Sequence, residues 1–231
     1  MTTIRPTSLR PPTSTEPMAP AGTRRRISWL ALLVASACAT IASFAIALII
    51  AGSIEAFFLA MAAPITLGLL LVWRWRRTGV VVLGVVLLAE LLASAPFLVD
   101  ALTHPESPGD FLPLTLFTVA TLVGSVAAVP AFRAAREPGR PAPRSAVPVA
   151  VVAVAVLVAA TAVSVVAAGR VDSVTAQPGD VELTAQDFRF DTSSVTADAG
   201  TVAVTVTNDD ATRHTFTIDE LGVNLDVPPG T

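Results

Sequence analysis

Five apolar runs constrain this chain more than anything else in it. They are Ile27–Ile50, Ile54–Val72, Val80–Val99, Phe111–Phe132 and Ala146–Ala168. Each approaches or exceeds the roughly 20 residues that a hydrocarbon layer about 30 Å thick demands of a helix. Lipid offers the backbone no hydrogen-bond partner, so runs of this length must be helical. A mean hydropathy of +0.68, with 53% hydrophobic and only 14% charged residues, agrees with membrane spans rather than one large soluble core. The expected class is therefore an α-helical membrane protein with five transmembrane helices, followed by something different after Gly169.

Arginine sets the expected orientation. Arg24, Arg25 and Arg26 precede the first run, Arg74, Arg76 and Arg77 follow the second, and Arg133, Arg136, Arg140 and Arg144 separate the fourth from the fifth. The Gly52–Ser53 turn and the loop Asp100–Asp110 contain neither Lys nor Arg. The positive-inside rule then puts the N-terminus in the cytoplasm and the C-terminal segment outside the cell membrane. Trp29, Trp73 and Trp75 fall at the inferred cytoplasmic boundary, where an interfacial aromatic belt belongs.

Residues 1–26 carry Pro6, Pro11, Pro12, Pro17 and Pro20 among Thr and Ser and read as a disordered cytoplasmic arm. Residues 27–132 form a four-helix region, 133–145 a Pro/Arg linker, 146–168 a fifth helix acting as an anchor, and 169–179 a second linker. The chain has one cysteine, so no intrachain disulfide can form. Arg24–Arg26 followed by Ala35-Ser36-Ala37-Cys38 has the outline of a lipoprotein signal. The apolar run nevertheless continues unbroken to Ile50, which favours Cys38 as a small buried helix residue.

Two polar features stand in or beside the spans. Glu90 lies near the centre of the third run, where a carboxyl group costs about 3 kcal/mol on insertion scales and should face other helices. It reads either as a proton or cation relay or as a neutral carboxyl bonded to hydroxyls such as Thr40, Thr66 or Thr118. The loop Asp100–Asp110 gathers His104, Glu106 and Asp110, a mixed set that can hold a divalent metal weakly or simply be solvated around Pro105 and Pro108-Gly109.

After Gly169 the pattern alternates. Val202, Val204 and Val206 point one way and Thr201, Ala203, Thr205 and Thr207 the other, as in a half-buried strand. Val181-Glu-Leu183-Thr-Ala185 alternates similarly, and Phe188-Arg-Phe190 resumes after a phase slip at Gln186-Asp187 that suggests a bulge. His214, Phe216 and Ile218 share a face, and Leu221, Val223 and Leu225 alternate again. Short strands at this spacing suggest an all-β sandwich.

Phe188-Arg-Phe190, Gly200, the alternating Val strand, Asn208 and His214 together resemble the first half of a bacterial cupredoxin-like domain, over residues 180–231. The resemblance implies a C-terminal Greek-key sandwich, incomplete in this chain. It also implies copper as cofactor, His214 as a copper ligand, and Asn208 hydrogen-bonding across loops near the site. A redox copper centre also needs a thiolate and a second imidazole, usually with an axial Met. No Cys, His or Met follows His214. The expectation is that the chain is a truncated product, or that a partner supplies the missing strands.

The expected function is copper binding or electron transfer by an extracytoplasmic unit, with the lipid bilayer and a redox protein as partners. A second reading is a small transport or scaffold protein acting through Glu90, and a third is a β-unit that docks a partner by strand addition. No Ser/His/Asp constellation, phosphate-binding glycine loop or HExxH helix is present, so an enzyme is the class least supported. No basic patch with interleaved aromatics points to nucleic acid.

Overall fold

The structure, a computed structural model, describes residues 27–52, 54–137, 145–197 and 200–231. The arm 1–26, with Arg24–Arg26, lies outside the described residues, as do Ser53, the linker segment 138–144 and residues 198–199. Five helices, each long and apolar enough to cross a membrane, come first: α1 Trp29–Ala51, α2 Ala56–Arg74, α3 Arg76–Thr103, α4 Pro108–Arg136 and α5 Val147–Ala168. Five short strands follow: β1 Val181–Gln186, β2 Arg189–Phe190, β3 Val204–Asn208, β4 His214–Ile218 and β5 Val223–Val227.

Several helices run further than hydropathy alone suggests. Only Trp75 separates α2 from α3, so the arginines expected in a loop lie on helix ends. The connection between α3 and α4 shrinks to His104–Ser107, with Asp100 and Asp110 each taken into a helix. α4 likewise continues through Arg136 into the segment expected to be linker. Charged and polar residues extend a helix as readily as apolar ones once the span is nucleated, so hydropathy underestimates helix length. Pro64, Pro96, Pro113 and Pro130 sit inside helices, as packed membrane helices tolerate.

Small residues set the bundle packing. Gly84 meets Ala128 between α3 and α4, where an added Cβ would lie 2.5 Å from the Ala128 Cβ. Ser36, Thr40 and Ser43 form a buried face on α1, with Thr40 and Ser43 donating to carbonyls of their own helix. Such contacts let helix backbones approach where hydrophobicity cannot drive association. Leu33, Ile65, Leu83 and Leu87 are fully buried between the helices. The outward faces carry exposed Val, Leu and Ile, most densely on α5 at Val151, Val152, Val154 and Val158. Cys38 is exposed on α1 rather than buried as expected, because the buried face is taken by the hydroxyl residues around it.

The strands make two small sheets. One has the order β2-β1-β3, with β1 and β3 parallel, and the other pairs β4 with β5 antiparallel. Phe190 of β2 meets Phe216 of β4 edge-on at 5.8 Å, which ties the sheets together through aromatic burial. His214, Phe216 and Ile218 do share the more buried face of β4. Leu221, expected in a strand, ends a short 3₁₀ turn Asp219–Leu221 that Gly222 terminates at φ +64°. Val202 precedes β3 and stays exposed.

The β unit sits against the end of the bundle that carries the α1–α2 and α3–α4 connections. Gly109 N–H donates to Ala211 O at 2.9 Å, and Arg213 N–H donates to Asp110 Oδ2 at 3.1 Å. At the other end, Arg77 Nε donates to Ala135 O, and Ala146 N–H donates to Ile27 O.

Candidate functional site

The expected bulge at Gln186-Asp187 is a tight hairpin instead. Gln186 pairs with Arg189 and Ala185 with Phe190, leaving Asp187 and Phe188 as a two-residue loop. Both have positive φ, +54° and +58°, which is the backbone of a type I′ turn. That turn normally recruits Asn and Gly, and a bulky residue in the left-handed region costs about 1–2 kcal/mol. Its compensation comes from another strand's end. Parallel pairing sets Ala185 beside Asn208, so residue 210 falls over the turn. Asp210 Oδ1 accepts from Asp187 N–H at 3.0 Å and Oδ2 from Phe188 N–H at 3.2 Å.

The same carboxylate holds His214. The Nε2 of His214 lies 2.7 Å from Asp210 Oδ2, and both side chains are largely buried, at 14% and 16% exposure. Burial pushes the Asp210 carboxyl up, but the hydrogen bonds from Phe188, His214 and Asp187 together outweigh it and hold the group below the ordinary carboxylate range. An ionised carboxylate only accepts, so Nε2 carries the proton. The Nδ1 of His214 makes no hydrogen bond among the described residues. Phe188 packs edge-on against the imidazole at 5.6 Å, and a recess of about 300 Å³ opens beside the ring between Ala185, Arg189, Phe190 and Thr215.

Asn208 is fully buried at the end of β3. Its Nδ2 donates to Thr212 O and Val227 O, both at 2.9 Å, while its Oδ1 accepts from Asp210 N–H. One side chain therefore closes the 208–214 loop, pins β5 beside it and orients the residue that grips His214.

The α3–α4 loop comes close to this site through Arg213. Its Nη2 is 2.7 Å from Asp100 Oδ2, its Nη1 is 2.9 Å from His104 Nε2, and Asp226 lies at 3.6 Å. His104 Nδ1 lies 2.8 Å from Asp100 O. A carbonyl only accepts and a guanidinium only donates, so His104 is neutral here with its proton on Nδ1. Both ring nitrogens are thereby engaged. Asp110 accepts from Arg213 N–H, and Glu106 joins neither. His104, Glu106 and Asp110 are neighbours that do not converge on a metal position: no group of three His, Cys, Asp or Glu suited to a metal occurs among the described residues.

Glu90 is buried in α3 at 7% exposure, and its Oε2 has no hydrogen-bond partner. Thr40, Thr66 and Thr118 each donate to a carbonyl one turn back in their own helix.

Sequence reasoning misses Asp210 and Arg213. Neither stands in a motif, and the only local signal is the four-residue spacing from Asp210 to His214. The copper centre implied by the resemblance tests poorly against these residues. One imidazole is well prepared, but Cys38 lies on the exposed face of α1 and His104 is engaged on both nitrogens. The described residues do not form a complete copper site. No curated protein and no solved structure matches the chain. Residues 149–231, beginning inside α5 some thirty residues before the likeness visible in the sequence, match the family of cupredoxin-like domains.

Proposed function

We propose that the chain is a membrane-anchored protein that presents a cupredoxin-like unit on the extracytoplasmic side. The unit belongs to the copper-binding or electron-transfer class, and this chain supplies one ligand position, His214. The observation that carries this reading is the bond from His214 Nε2 to Asp210, which leaves Nδ1 unengaged. Tying one ring nitrogen to a carboxylate is how proteins fix the tautomer and direction of a metal-ligating imidazole. The family match supports the class. The extracytoplasmic side is supported by the distribution of arginines and by the β unit sharing an end of the bundle with the connections that lack Lys and Arg. The donors that complete such a centre are not among the described residues, so no electron-transfer step is assigned, and no catalytic role is proposed.

Copper titration of the full chain in detergent tests this. Weak binding without a thiolate-to-copper visible band, abolished by His214→Ala, is expected. Binding of equal strength in the variant rules His214 out.

A second reading rests on Glu90, whose unpartnered buried oxygen is unusual for a merely structural carboxyl. In that reading the helical region moves protons or cations. Reconstituted vesicles separate the readings: flux that Glu90→Gln removes supports it, and flux that the variant leaves unchanged removes it.

A further inference from the structure

A cavity of about 240 Å³ lies inside the bundle at the end that carries the β unit. Phe44, Phe57, Phe58, Phe97, Phe117 and Met61 line it. A void of about 150 Å³ lined by apolar side chains is enough to bind benzene, so this one accommodates one substituted ring. Aromatic and thioether walls favour an aromatic guest through edge contacts and sulfur–ring contacts.

Three polar residues break the apolar lining, of which Ser43 already donates its hydroxyl to Thr40 O. Ser94 contributes a hydroxyl from α3, and Asp110 stands at the mouth in the first turn of α4. Asp110 Oδ2 is occupied by Arg213 N–H, whereas Oδ1 makes no hydrogen bond among the described residues. Ala47, Phe58, Gly109 and Asp110 also line the wider cleft between the bundle and the β unit, so the two spaces meet at Asp110. Phe57 and Phe97 are 59% and 67% exposed on the outward faces of α2 and α3, which leaves the cavity a side opening toward lipid.

We propose that this cavity binds a membrane-soluble hydroxyaromatic compound: one ring among the phenylalanines, its hydroxyl donating to Asp110, and its apolar tail leaving between Phe57 and Phe97. Size selects a single ring, the walls select an aromatic, and the free carboxylate oxygen selects a hydroxyl. A phospholipid acyl chain satisfies the first requirement only. The site is independent of His214 and of any metal.

The test is equilibrium binding of 4-hexylphenol and of hexylbenzene to the full chain in lipid nanodiscs, with empty nanodiscs correcting for partition. The phenol should bind saturably and about tenfold or more tightly than hexylbenzene, the ratio expected of a hydrogen bond to a charged acceptor. Asp110→Asn keeps an acceptor for Arg213 N–H and should bring the two probes close to equal. Ala47→Phe fills the junction and should abolish binding of both, and Ser94→Leu serves the same purpose should the first variant not fold. Equal affinity of the two probes for the native chain overturns the proposal in favour of nonspecific filling by lipid tails. Saturable binding that survives both filling variants places the compound elsewhere and overturns it too.

Discussion

His214 and Asp210 share one hydrogen bond of 2.7 Å, and through it the proposed copper-ligand position is coupled to the hairpin turn at Asp187–Phe188. The carboxylate serves three donors at once: two amides of a turn that its own residues disfavour, and one imidazole. Turn and ring therefore stand or fall together.

The turn can be tested directly. Phe188→Gly removes a left-handed bulky residue at φ +58° and should stabilise the hairpin by about 1 kcal/mol, less whatever the edge contact with His214 contributes. Asp210→Ala should do the opposite, by about 2 kcal/mol or more, since it leaves the two turn amides without their charged acceptor. Hydrogen exchange at the Asp187 and Phe188 amides checks both: faster in Asp210→Ala, unchanged or slower in Phe188→Gly.

Acid should loosen the same unit. The Asp210 carboxyl is held below its ordinary range when folded, and it loses those hydrogen bonds on unfolding. The unfolded chain therefore takes up this proton first as pH falls. Stability from this group is complete above the ordinary carboxylate value of about 4 and declines as pH drops from there through the lower folded value. Urea unfolding across that window should show the decline in the native chain and a shallower one in Asp210→Asn. Identical slopes contradict the assignment.

Asn208 should be irreplaceable. Asn208→Ala leaves two carbonyls, of Thr212 and Val227, without a buried donor and should cost about 2 kcal/mol or more. Asn208→Asp keeps the shape, loses both donors and buries a charge, so it should cost at least as much. A thermal shift for either variant no larger than that of a surface substitution contradicts this.

Gly109 should govern how the β unit sits on the bundle. A Cβ there would stand 2.5 Å from Ala211 O, a backbone atom that cannot swing aside. Gly109→Ala should therefore open the contact and expose the Arg213 side chain, which is 16% exposed in the native chain. Limited trypsin digestion reads this out as new cleavage after Arg213. The Arg213–Asp100 pair alone should contribute only about 0.5–1 kcal/mol in a double-mutant cycle, because Asp100 is 65% exposed.

The parts of this fold that depend on length and period are legible in the residues. Runs of about twenty apolar positions have no alternative to a helix, and the alternation of His214, Phe216 and Ile218 marks the inward face of β4. What the sequence hides depends on pairing across distance. The hairpin has no Asn-Gly signature, and Phe188 gives no hint that its φ is positive, so the phase slip reads as a bulge. Asp210 acquires its position only from the parallel register of β1 with β3, which brings residues 187 and 210 together. Arg213 precedes β4, and its partners Asp100, His104 and Asp110 lie more than a hundred residues earlier in the chain.

The chain contains two histidines, which makes ring-nitrogen NMR with ¹⁵N-labelled histidine the most direct measurement of the ligand assignment. His214 should be found protonated on Nε2 with Nδ1 bare, and His104 with the opposite tautomer. Added copper(I) should move the Nδ1 resonance of His214 and leave His104 in place. A His214 protonated on Nδ1, or a copper response confined to His104, would contradict the assignment.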